Sequence, residues 1–95
     1  MTKLWKIYVP LENNEQKDEW IESVIELAGG LSNEGDHAAG LRVDPEGKVH
    51  KDQHSVFLVM ADRPIMKETV NSAKVIFNQT AVFYYLVSEK AYIHA

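Results

Sequence analysis

The sequence predicts an α+β domain of the split βαβ, or ferredoxin-like, type. Three observations lead there. Apolar periodicity switches between two and 3.6 residues in the order strand, helix, strand, strand, helix, strand. Each change of period falls at turn or cap chemistry. The chain has 95 residues, which is the size of one domain.

Leu4 to Leu11 alternates, with Trp5, Ile7, Val9 and Leu11 on one face and Lys6 and Tyr8 on the other. That is a half-buried strand, and Pro10 near its end is tolerated. Asn13 and Asn14 are N-cap residues, and Gln16 stands at capping-box spacing from Asn13. The first helix then runs to about Ala28. Ile21, Val24, Ile25 and Ala28 form its stripe, with Trp20 and Leu27 beside it. Gly29 and Gly30 end it, as residues that enter the left-handed region at little cost.

Leu31 to Asp36 reads as a polar loop, and a short second strand carries Ala39, Leu41 and Val43 on one face. Asp44-Pro45-Glu46-Gly47 is a turn signal, because proline pre-sets φ and Asp and Gly suit the outer positions. The third strand is strongest from Ser55 to Ala61. Its near-continuous VFLVMA run places it centrally in the sheet. Asp62 and Pro64 open the second helix, whose stripe is Met66, Val70, Ala73 and Phe77 and which ends near Asn78. Ala81 to Val87 is a strand rich in β-branched and aromatic residues. Ser88 to Lys90 can turn, and Ala91 to His94 can return as a short C-terminal hairpin strand.

Two helices on one face leave the other sheet face open. Lys6, Tyr8, Tyr84 and Leu86 are the residues expected to line it. A partly apolar open face on so small a domain predicts a homo-oligomer.

Composition narrows the function classes. The net charge is −4, from ten basic and fourteen acidic residues, with the bases scattered. Nucleic acid and anionic lipid are therefore disfavoured as partners. There is no cysteine, which excludes disulfides and thiolate metal sites. No apolar run reaches a membrane span, and the N-terminus lacks a signal-peptide pattern, so a cytoplasmic location and no membrane partner are expected.

Catalytic signatures are scarce. No serine stands in a G-x-S-x-G elbow, and Gly29-Gly30 has neither the spacing nor the context of a phosphate loop. His50 and His54 share parity, but an extended strand separates them by about 13 Å, too far for one zinc ion. Neither His37 nor His94 has an obvious partner, and no metal or cofactor is expected. Asp44, Glu46 and Asp52 suit general acid or base work only if partly buried; as turn residues they read as solvated. Tyr8, Tyr84 and Tyr85 can stack on a planar ring. Lys6 and Arg42 can hold an anion.

The segment from Gly40 to Tyr85 carries a G-x-x-x-D-x-x-G-x-V rhythm through Gly40, Asp44, Gly47 and Val49, then Ser55-Val56, a helix, Gln79 and the strand Val82 to Tyr85. In this it resembles small phage-encoded S-adenosylmethionine lyases and a related bacterial family of unknown function. The resemblance implies a ferredoxin-like trimer with a ligand between subunits. It departs from that pattern at Leu41 and Arg42, where an aromatic is expected, and at Asp52 and Gln53, where a glutamate is expected. The expectation is a binding protein in a phage setting, holding a nucleotide-like molecule through Tyr8, Arg42, Gln53, Ser55 and Tyr84 and sequestering a host signal. Two alternatives stand beside it. One is a lyase with Asp52 in the catalytic position; the other is an interaction module without a ligand.

Overall fold

β1 (Lys3–Pro10) lies in the interior of the sheet and sets out the molecule's two sides. Trp5, Ile7 and Val9 are buried beneath the helices, while Leu4, Lys6, Tyr8 and Pro10 alternate with them at intermediate exposure. This is the period-two pattern of a strand with one face in the core. The computed structural model describes residues 2–10, 14–43, 45–79 and 81–92.

α1 (Asn14–Leu27) follows, then the hairpin of β2 (Gly30–Val43) and β3 (Val49–Ala61), then α2 (Arg63–Ile76) and β4 (Tyr84–Ser88). The sheet order is β2-β3-β1-β4, and every neighbouring pair is antiparallel. β1 and β2 flank β3 and so run parallel to each other, which is the split βαβ arrangement the sequence predicts. β3 occupies the central place expected of its apolar run.

The core lies between the helices and one sheet face. Trp20 and Val24 of α1 meet Met66, Val70 and Ala73 of α2 over Trp5, Ile7, Val9, Phe57 and Val59. Trp20 Nε1 donates to the Thr69 carbonyl at 3.2 Å, and its ring meets Phe57 edge-on with centroids 5.2 Å apart. Between the helices, the Ser23 and Ser72 hydroxyls lie 2.8 Å apart. The exit from α1 is tight: Gly29 N donates to the Met60 carbonyl at 2.8 Å. A Cβ on Gly29 would meet that same oxygen at 3.4 Å.

α2 ends in a Schellman arrangement. Gln79 N donates to the Lys74 carbonyl and Asn78 N to the Val75 carbonyl, with Asn78 at φ 52°. Asparagine is the commonest non-glycine residue at such a position.

Three expectations are corrected. Leu31 to Asp36 is strand, not loop. β2 runs through it with register shifts between Asn33 and Gly35 and between Gly35 and Ala38. The polar, glycine-containing stretch reads locally as a loop, but pairing to the apolar run of β3 overrides that preference, and bulges absorb the extra residues. β4 begins at Tyr84, later than the predicted Ala81. The C-terminal hairpin strand is not formed at Ala91 and Tyr92. Ala91 N instead donates to the Thr2 carbonyl at 3.1 Å, beside the start of β1. Ile93 and His94 lie outside the described residues.

Candidate functional site

The sheet face turned away from the helices is the candidate. Cross-strand register decides who lies on it, because directly paired residues share a face. Leu4 pairs with Met60, Lys6 with Leu58 and Tyr8 with Val56. Gly30 and Ser32 continue those rows through Met60 and Leu58 onto β2. On the other side Lys6 pairs with Tyr85.

Two features divide this face. At one end a shallow apolar hollow of about 320 Å³ is lined by Leu4, Gly30, Leu31, Ser32, Leu58 and Met60. None of those residues carries charge, and a ligand site would need polar groups to fix its ligand's orientation. Towards the other end is a row of rings. Tyr8 lies edge-on to Phe83 with centroids 5.4 Å apart and to His54 at 6.4 Å. Phe83 continues to Tyr85 at 5.8 Å, and the Lys6 ammonium sits 5.9 Å from the Tyr85 centroid. The row is anchored by Tyr8 N donating to the Phe83 carbonyl at 3.0 Å. His54 Nδ1 is sealed from solvent, with no hydrogen-bond partner among the described residues.

The predicted binding residues are not brought together. Tyr8 is on the open face, as expected. Tyr84 pairs with Ile7 and packs against the core, its ring 6.0 Å from Trp5. Leu86, paired with Trp5, is on the helix side as well. The reading that placed Tyr84 and Leu86 on the open face is therefore out of phase by one residue. Ser55 is 0% exposed and in register with Val9 beneath the helices, so a ligand on the open face does not reach it. Gln53 is exposed and pairs with Ala39. The register sets Arg42 opposite His50 and Gly40 opposite Asp52; the side chains of Arg42 and Asp52 lie outside the described residues. A stacking pair made of Tyr8 and Tyr84 would have to act through the sheet.

The residues that sequence reasoning missed on this face are Leu4, Leu58, Met60 and Phe83. Tyr85 was named as a stacking residue but not placed on it. A signal for β4 was available, because its alternation admits two phases. The register irregularity between Leu4 and Trp5, where β4 steps from Ser88 to Leu86, is not visible in the sequence.

Ionic chemistry lies elsewhere. Lys3 Nζ donates to Glu89 Oε2 at 2.6 Å. That hydrogen bond and the lysine charge hold the Glu89 carboxyl below its usual range. Among the described residues no three His, Cys, Asp or Glu side chains gather as a metal site.

No protein-family model matches the chain, and no curated protein matches it. Solved structures do. The chain is similar to the divalent cation tolerance protein Cut A1 of Thermus thermophilus, at 17% identity and TM-score 0.71, over 97% of this chain and 88% of that one. It is similar to the periplasmic divalent cation tolerance protein CutA of Archaeoglobus fulgidus, at 15% identity and TM-score 0.71, over 98% and 88%. CutA1 of Oryza sativa matches at 16% identity and TM-score 0.70, over 97% and 83%. These likenesses show the fold. They overturn the resemblance to S-adenosylmethionine lyases and the family of unknown function tied to it: the matched structures are CutA1 proteins. The phage setting and the sequestered host signal rested on that resemblance and fall with it.

Proposed function

We propose that the chain is the subunit of a homo-oligomer that acts in tolerance to divalent cations, with its open sheet face turned to neighbouring copies. The observation carrying the assembly is the apolar character of that face. Leu4, Leu58 and Met60 line a hollow, and Phe83 is 65% exposed. An apolar sheet face on a domain this small is ordinarily covered. The cation role is suggested by the names of proteins that share the fold over nearly the whole chain. The row of rings beside Lys6 serves subunit contact better than ligand stacking, since Tyr84 is on the opposite side of the sheet. No helix among the described residues is long and apolar enough to cross a membrane.

The test has two arms. Light scattering on the purified chain should give a mass above one subunit. Leu58→Lys, which sets an ammonium in the middle of the face, should reduce that mass to the monomer with the far-ultraviolet dichroism retained. In cells, deleting the chain should increase sensitivity to Cu²⁺ or Zn²⁺. The wild type should restore tolerance and the Leu58→Lys variant should not. A wild-type monomer overturns the assembly; unchanged cation sensitivity overturns the role.

A further inference from the structure

A single lysine stands in the middle of the open sheet face. Lys6 is on the interior strand β1, paired with Leu58 on one side and Tyr85 on the other. Along β1 its neighbours on the same face are Leu4 and Tyr8. It is therefore framed by apolar or aromatic residues on all four sides. Among the described residues no carboxylate lies within ion-pair distance of it; the ammonium sits instead 5.9 Å from the centroid of the Tyr85 ring. Asp52 also belongs to β3, but it stands six positions from Leu58, about 20 Å along an extended strand. A lysine side chain does not bridge that distance within one copy. In water such an ammonium needs no partner. Covered by a neighbouring copy it does, because a buried charge is tolerated only when it is paired. Identical copies make the difficulty collective. Each brings the same Lys6 to the shared interior, and like charges repel more strongly where water is excluded. Contact with the face of one tyrosine attracts the cation but does not neutralise it.

We propose that the covered face holds a small polyvalent oxyanion, of the phosphate or sulfate class, between the Lys6 ammonium groups of adjoining copies. Lysine binds such anions as a point charge, and a polyvalent anion offsets more than one lysine at once. The inference rests on the homo-oligomer proposed above and concerns what its interior contains. It also separates Lys6 from the Leu58→Lys variant: the native ammonium has a counter-ion in the assembly, and the introduced one does not.

The test uses inorganic phosphate and the purified chain, freed of polyvalent anions by exchange into Tris chloride. Titration calorimetry should show binding with fewer phosphates than subunits, the stoichiometry of a shared site. The melting temperature should rise by about 5 °C or more between no phosphate and roughly 10 mM phosphate at matched ionic strength, since a ligand of the native state stabilises it. Sulfate should replace phosphate, and chloride should not. Lys6→Met, which keeps the apolar stem and removes the charge, should abolish both responses and assemble in chloride alone. Lys6→Arg should retain both, and Lys6→Gln serves as a second neutral variant. Phosphate binding to the neutral variants as to the wild type overturns the site, and one phosphate per subunit overturns its sharing. An oligomeric wild type with neither binding heat nor a rise in melting temperature overturns the anion and leaves the assembly standing, its lysines neutralised by carboxylates of the chain itself. A wild type that is monomeric at every phosphate concentration overturns the assembly and the shared site with it.

Discussion

Trp20 shows how much a single side chain carries. It is fully buried and meets Phe57 and Phe77 with its ring, while its one polar atom is satisfied by Thr69 across the helix pair. Trp20→Ala should therefore cost about 3–5 kcal/mol of stability, measured by urea unfolding, as for other large core truncations. Trp20→Phe keeps one aromatic ring but removes the donor and part of the indole's volume, at about 1–3 kcal/mol. Asn78 is a smaller case with a defined sign. Its left-handed φ suits glycine, so Asn78→Gly should be neutral or slightly stabilising, whereas Asn78→Val should cost about 1–2 kcal/mol. The Lys3–Glu89 pair has a pH signature. The Glu89 carboxyl is held below its ordinary range, chiefly by the Lys3 hydrogen bond. The contribution is therefore present above the unfolded carboxylate's pKa and is lost as pH falls through the lower, folded value. Because the pair is at the surface, salt weakens it. Lys3→Met should return the Glu89 titration to the ordinary carboxylate range in an NMR pH series, with little change in melting temperature near neutral pH.

Among the elements, β2 departs most from its local signals. Ser32-Asn33-Glu34-Gly35-Asp36 has the composition of a loop. It is strand because β3 offers a long apolar partner, and the mismatch in length is taken up by two register shifts around Gly35. Gly35 has φ 151°, with open space where a Cβ would stand. Any cost of Gly35→Ala therefore comes from the backbone, at about 1–3 kcal/mol, read as a lowered urea midpoint. The elements that were legible explain themselves: Trp5, Ile7 and Val9 alternate under the helices, and Met66, Val70 and Ala73 recur under α2. The candidate site was less legible. Tyr8 was assigned to its face correctly because β1 is regular. Tyr84 and Leu86 were assigned to the wrong face because β4's phase depends on a distant register, and a one-residue slip moves every side chain across the sheet.

At the scale of the whole molecule, the element order was sufficient to predict the fold and insufficient to predict the ligand. The four-stranded antiparallel sheet with two helices is what the periodicities predict. The half-chain resemblance to a lyase family did not survive comparison with solved structures that match over almost the full length. A rhythm of glycines and an aspartate around one turn records the turn's backbone needs, and many unrelated hairpins share those.

The interior position of β1 has a consequence for how the chain is made. Lys3 waits for Ala61 and Leu4 waits for Ser88. At a synthesis rate of about 5–20 residues per second, the first strand exists for several seconds before its last partner has left the ribosome. Until β3 and α2 have emerged, Trp5, Ile7 and Val9 lack the strand and the helix pair that cover them in the folded chain. The hairpin of β2 and β3, local in sequence, can close early, whereas insertion of β1 beside β3 is a long-range step and is expected to be the slower of the two. The apolar face of the first strand is accordingly exposed from its own emergence to that of the third strand and second helix.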